Sequence, residues 1–207
     1  MRSRRKDGIV TPDDILELWF GTVTPSGMTA DDRSALWWRK SDETDAALRA
    51  RFSEHVEGAA AGQLDAWRET ASGCVALIVT LDQLTRNIFR GTPRAFAADP
   101  KAQALCLAGL DRAHDQALPL IQRVFFYMPL EHAEDARLQA RSCALFQALC
   151  DLAPAEHRET FAYYLDYAEK HRAIIDRFGR FPHRNASLGR ETTAEEAMFL
   201  QKPGSSF

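Results

Sequence analysis

Apolar positions along this chain recur every three to four residues, and no stretch alternates at every second residue, so the predicted elements are helices throughout. Thr11 is placed to cap the first, with Pro12 at its first position, Asp13 and Asp14 favouring the N-terminal dipole, and Gly21 stopping it. A loop over 22–30 leads to a short helix over 31–39 carrying Trp37 and Trp38. Ser41 then opens a helix over about 42–60 with Leu48, Phe52 and Val56 on one stripe. After a short helical piece near 64–67, Ser72 begins the most apolar segment, CVALIVTLDQLTRNIFR, which ends at Gly91. Valine and isoleucine there suit a strand, but the length and polar spacing favour a buried helix. Further helices are predicted from Asp99-Pro100 to about 113, over 119–128 with an interruption at Pro129, and over about 131–151 and 155–178 on either side of Pro154. The last starts at Thr193, which has capping-box spacing to Glu196.

The class that follows is all-α, with helix pairs joined by short loops into an antiparallel array, either bundle or solenoid. A single helical domain is expected over 11–200, between a flexible tail at 1–10 and a loose C-terminal tail at 201–207. A repeat of roughly 34 residues is not legible.

Composition narrows the partners. A hydrophobic fraction of 45% and a charged fraction of 27% in 207 residues suit a soluble protein with one core. The net charge of -3 gives no global attraction for nucleic acid. No apolar run reaches the ~18 residues of a membrane helix, and the basic N-terminus is not followed by the apolar stretch of a secretion signal. Cys74, Cys106, Cys143 and Cys150 sit in apolar helical contexts without a CxxC pair, so free thiols are expected rather than a disulfide framework or a zinc site. The cytoplasm is the expected compartment, and no metal or cofactor is implied.

Four polar clusters stand out against this background. Asp82, Gln83, Arg86, Asn87 and Arg90 interrupt the most apolar helix; Asp82 and Arg86 are spaced i,i+4, Asn87 and Arg90 i,i+3. They form either a salt-bridged helix face or the polar wall of an inter-helix pocket, which Arg94 would extend. Glu131, His132, Glu134 and Asp135 lack the Glu-x-x-His spacing of helical metal sites, and the isolated Asp111 and His114 do not replace it. Glu134 and Asp135 suit a helix N-terminus, while His132 remains a candidate proton donor or ligand contact. Tyr163, Tyr167 and His171 form an i, i+4, i+8 stripe that reads as packing with satisfied polar tips, with His171 at a pocket mouth as the alternative. Finally, Gly179 ends a long helix, and Arg177, Arg180, His183, Arg184, Asn185 and Arg190 crowd around it. Arginines on such a loop clamp a carboxylate or phosphate, or tie the C-terminal helix down by pairing with residues such as Glu191 or Glu195.

With those residues in view, the chain resembles the bacterial family known as domain of unknown function 924 over nearly its whole length. The resemblance rests on ILELWFG (15–21), LDQLTRNIFRGTPRAFAADP (81–100), FYMPLEHAED (126–135) and HRAIIDRFGRFPHRNASLGRETTAEEAMFL (171–200). It implies an all-helical, tetratricopeptide-like right-handed superhelix and implies no activity. Members usually have Phe-Pro where this chain has Leu84-Thr85, and His-Ser-Glu where it has His132-Ala133-Glu134, which argues against a serine nucleophile at Ala133.

Two readings of function are open. In the first, a small anionic ligand sits in a polar inter-helix pocket. Gln83, Arg86, Asn87, Arg90, His171, Arg177, Arg180, Arg184 and Asn185 are the candidate contacts, and His132 or His183 would move protons with help from Glu134 or Asp82. In the second, the array is a tetratricopeptide-like module that binds a protein or peptide without catalysis, with Trp19, Trp37, Trp38 and Trp67 as anchors. Oligomeric state is open in both.

Overall fold

The computed structural model describes residues 10–206 and is helical from end to end. Its α-helices are α1 (Pro12–Phe20), α2 (Ser34–Trp38), α3 (Asp42–Ala60), α4 (Ala71–Ile78), α5 (Thr85–Ile88), α6 (Asp99–Asp111), α7 (Leu120–Glu131), α8 (Ala136–Leu152), α9 (Arg158–Phe178), α10 (Asn185–Leu188) and α11 (Ala194–Leu200). Among the described residues the only β pairing is an isolated bridge between Val23 and Thr29. The tail expected over 1–10 lies, Val10 apart, outside the described residues, and Val10 itself packs on the core.

Side-chain acceptors set several of the starts. Thr11 and Asp14 form a reciprocal capping box on α1, as Thr193 and Glu196 do on α11; Ser41 caps α3 and Asp135 caps α8. Thr70, not Ser72, opens α4. Of residues 131–135, expected to start the next helix, Glu131 instead ends α7 and 132–135 make the turn before α8. Gln139, fully buried, holds that turn by donating its amide to the carbonyls of Glu131 (2.5 Å) and Ala133 (2.8 Å).

Two local rules were overridden. The interruption expected at Pro129 does not occur, because α7 carries the proline inside it and runs to Glu131. An interior proline costs about 3 kcal/mol, but burying side chains such as Ile121, Val124, Phe125, Phe126 and Leu130 contributes roughly 1.5–3 kcal/mol each. The apolar helix from α4 to α5 is continuous but widens into a π-helical stretch, Val79–Leu84. The hydroxyls of Thr80 and Thr85 take up carbonyls there, donating to Ala76 O and Leu81 O at 2.8 Å each.

This α4–α5 helix is the axis of the molecule. Residues 73–85 are all buried, and α1, α3, α6 and α7 pack against it. Helix α8 pairs with α7 and, most extensively, with α9 across a short loop, the antiparallel arrangement that short connections favour. A second, smaller apolar cluster of Ile174, Ile175 and Phe181, backed by Phe178 and Phe199, seats the C-terminal segment on the end of α9. No helix among the described residues is long and apolar enough to cross a membrane.

Candidate functional site

The π-helical stretch has a direct consequence for the polar residues it carries. A wider turn rotates the side chains that follow it, and such turns recur at functional sites. Here Asp82 is driven fully into the interior while Gln83, Arg86, Asn87 and Arg90 line one side of a cavity of about 530 Å³. The end of α7 adds Glu131 and the turn after it His132, the 3-10 turn Pro182–Arg184 adds His183 and Arg184, and α9 adds His171. Segments far apart in sequence thus converge on one space.

Asp82 organises the polar end. Both of its oxygens lie at 2.9–3.0 Å from His132 Nδ1, Gln83 Nε2 donates to it at 2.6 Å, and Arg86 Nη1 stands 3.1 Å away. Burial alone would push this carboxyl up, but Arg86 and His132 hold it well below the usual range. The ionised carboxylate fixes the Nδ1–H tautomer of His132, which leaves Nε2 as the acceptor. His132 itself is pushed down by burial, against the pull of Asp82, so its ring is neutral near pH 7. A neutral, oriented imidazole is the form that accepts a proton.

Arg86 is held by a fork-to-fork pair with Asp99 at 3.0 Å on each arm. Arg184, 5% exposed, reaches the same Asp99 at a longer 3.4 Å and lies between Phe96 and Phe181, 4.8 and 4.4 Å from their ring centres. Its Nε has no hydrogen-bond partner among the described residues. Burial and the neighbouring Arg86 push Arg184 down to about 10, still cationic at neutral pH. Burial and then Asp82 push Glu131 up to about 8, so it is mostly protonated there. Its Oε1 lies 3.1 Å from His171 Nδ1, which also donates to Tyr167 O at 2.8 Å. His171 and His183 are both pushed down, chiefly by burial, His183 to about 4. The cavity wall therefore presents guanidinium groups and neutral imidazoles, with its carboxylates, Asp82, Asp99 and Asp45, set behind it and paired. Asp45 accepts both arms of Arg90 at 2.5 and 3.0 Å, and Arg90 also donates to Asn87 Oδ1 at 3.1 Å. Among the described residues no three His, Cys, Asp or Glu side chains are grouped as a metal site.

Other residues singled out in the sequence lie elsewhere. Glu134 accepts from Phe181 N at 2.7 Å and from both arms of Arg190 at 2.6 and 2.9 Å. Arg180 forks onto Glu196 at 2.7 and 2.9 Å and donates to Glu191 O, and Arg177 pairs with Glu195 at 2.7 Å. Asn185, buried, donates to Glu196 at 3.2 Å. Glu134, Arg177, Arg180 and Asn185 are thus brought together as a clasp for the C-terminal segment, outside the cavity wall. Arg94 pairs with Glu57 and lies over Phe89, also outside it.

The far wall joins residues named in the sequence only as peptide anchors or packing, Trp37, Trp38, Tyr163 and Tyr167, with Phe146 and Tyr164, which the sequence did not single out. Arg39 and Lys40 follow Trp38 at the rim. The Tyr163–Tyr167–His171 stripe, read as packing, faces this space; its helical spacing was legible, its direction was not. Trp19 is buried, and Trp37 donates its indole N–H to Trp19 O at 2.9 Å, so these two rings serve the core more than a surface.

Comparison with known proteins agrees with this architecture and adds no activity. A solved structure of a protein of unknown function from Agrobacterium tumefaciens is similar at 40% identity, with a TM-score of 0.76 over 92% of this chain and 96% of that one. No curated protein matches. The model of the family described as "Bacterial protein of unknown function (DUF924)" matches residues 15–204, and with nearly the whole helical array inside that match the chain belongs to this family.

Proposed function

We propose that the protein binds a small anionic molecule in this cavity and is equipped to move a proton on it. The observation that carries the reading is the convergence of Arg86, Arg184 and His132 on one space of about 530 Å³, a volume suited to a small ligand. Arg39 and Lys40 stand at the rim, outside the close ion pairs that hold Arg86 and Arg90, so their charge is available to draw an anion in. His132, held by Asp82, is the proton acceptor, and protonated Glu131 beside it is a donor. Free Cys74, Cys106, Cys143 and Cys150 support a cytoplasmic setting for this activity.

Calorimetric titration against a panel of carboxylates and phosphates tests the binding. Charge reversal of both Arg39→Glu and Lys40→Glu, at exposed positions that bear on no core contact, is expected to weaken any anion that binds by about tenfold or more at low salt. Affinity unchanged by the reversal, or no binding across the panel, would remove the reading. His132→Asn is expected to retain affinity within about threefold while abolishing any turnover that NMR detects for the bound anion.

A further inference from the structure

The cavity wall is divided by chemistry, and the division constrains the shape of the ligand. At one end Arg86, His132 and Arg184 gather around Asp82. At the other are aromatic rings whose exposure is unusual. Trp38 is 47% exposed and Tyr163 51%, although both are large and apolar and both line the cavity. Trp38 has one face stacked on Phe125, with centroids 5.7 Å apart and planes 12° from parallel. Tyr163 is held against Tyr167 at 4.6 Å, and Tyr164, next to Trp38 at 6.1 Å, joins the two walls. Rings held rigid on one side and open on the other form a platform on which a flat apolar group stacks. Among the described residues the carboxylates near the walls offer little to a cationic group, since buried Glu131 is mostly protonated near pH 7 and the aspartates behind are paired.

We propose that the ligand is a planar aromatic ring bearing a carboxylate or phosphate. Its ring lies against Trp38 and Tyr163 and its anionic head reaches Arg184, which lines the cavity, is 5% exposed and meets Asp99 only at 3.4 Å. This rests on the reading of the cavity as an anion site and adds the aromatic body. A saturated ring of equal bulk would fill the space but lose the stacking, which is worth roughly three- to tenfold in affinity.

Three probes separate the parts: inorganic phosphate, cyclohexyl phosphate and phenyl phosphate, each titrated into the full chain by calorimetry. The expected order is phenyl, then cyclohexyl, then inorganic phosphate, with phenyl phosphate about three- to tenfold tighter than cyclohexyl phosphate. In Trp38→Leu, whose position is half exposed and whose fold is checked by circular dichroism, the two organic phosphates are expected to bind equally, with inorganic phosphate unchanged. Phenyl and cyclohexyl phosphate binding alike to the wild type overturns the aromatic platform and leaves the anion site standing. A Trp38→Leu chain that keeps the phenyl preference also overturns it. Binding by none of the three overturns it, and whether the anion reading falls too is decided by the wider panel.

Discussion

Glu131→Gln is expected to make this protein more stable at neutral pH, although the substitution removes an ionisable group from the candidate site. Glu131 is 5% exposed, feels the ionised Asp82, and has His171 Nδ1 3.1 Å from its Oε1. Burial and Asp82 therefore push its carboxyl up to about 8, whereas in the unfolded chain it titrates near 4.5. The sign follows from linkage. The folded state holds this proton between the two values and the unfolded state does not, so rising pH favours unfolding from about 4.5 until the folded carboxyl ionises near 8. At about 1.4 kcal/mol per tenfold change in proton affinity, the loss by pH 7 amounts to roughly 3 kcal/mol, and relaxation of the buried site brings the expectation to about 1–3 kcal/mol. The substituted amide keeps the shape and an acceptor for His171 and has no proton to lose. For a chain of this size that difference is about 3–10 °C in Tm. Thermal unfolding by circular dichroism at pH 5 and pH 8 reads it directly. The variant is expected to gain on the wild type as pH rises from 5 to 8. A gap that is constant across that window, or a variant less stable at pH 8, would refute an elevated carboxyl at this position.

Other expectations bear on the clasp, the core and the dyad. Glu134→Ala leaves Phe181 N without its acceptor, removes the ion pair to Arg190, and is expected to cost about 1–2 kcal/mol in urea unfolding. Arg190→Gln should cost less in the Glu134→Ala background than in the wild type, keeping only the loss of its bonds to Asn185 Oδ1 and Phe181 O, so additive effects in the double-mutant cycle would contradict the pairing. Gly109→Ala improves helix propensity in α6, yet its Cβ would stand 2.6 Å from Phe126 Cζ and 3.2 Å from Cys74 Sγ; a net loss of about 1–3 kcal/mol is expected, and a gain would show that the α6–α7 contact is loose. Asp82→Asn removes the charge that fixes the His132 tautomer, so histidine-ring NMR should show a mixture of tautomers where the wild type shows one.

Much of the frame was legible in sequence because its causes are local. Thr11, Ser41 and Thr193 mark helix starts with acceptors that the first N–H groups need, and Gly179, at φ 67°, ends α9 in the left-handed region that favours glycine. The site was legible in part. Asp82 to Arg90 stood out because charge within an apolar helix must be answered from elsewhere. Its answers, Asp99 for Arg86 and Asp45 for Arg90, lie on other helices in contexts that look like ordinary helix starts. The π-helical stretch left no periodic signal, since one wide turn shifts the register by less than pattern reading resolves. The arginines of the final segment all looked alike in sequence. What separates Arg184 from Arg180 is only whether a carboxylate meets the fork squarely, as Glu196 meets Arg180, or at a distance, as Asp99 meets Arg184.

That difference links the clasp to the cavity. The end of α7 and the turn after it use nearby residues for separate ends: Glu131 and His132 face the cavity, and Glu134, two positions on, holds Phe181 N and Arg190. Phe181 precedes the 3-10 turn that carries His183 and Arg184, and its ring lies under the Arg184 guanidinium. One rigid turn, pinned by Gln139, therefore fixes both His132 and the segment that delivers Arg184 to the same space. Loosening the clasp through Glu134 should move Arg184 relative to His132 while leaving the Asp82–His132 contact intact. Such a variant would be expected to lose anion affinity and keep the His132 tautomer, whereas loss of the tautomer as well would mean that the clasp supports α7 itself rather than the loop it holds.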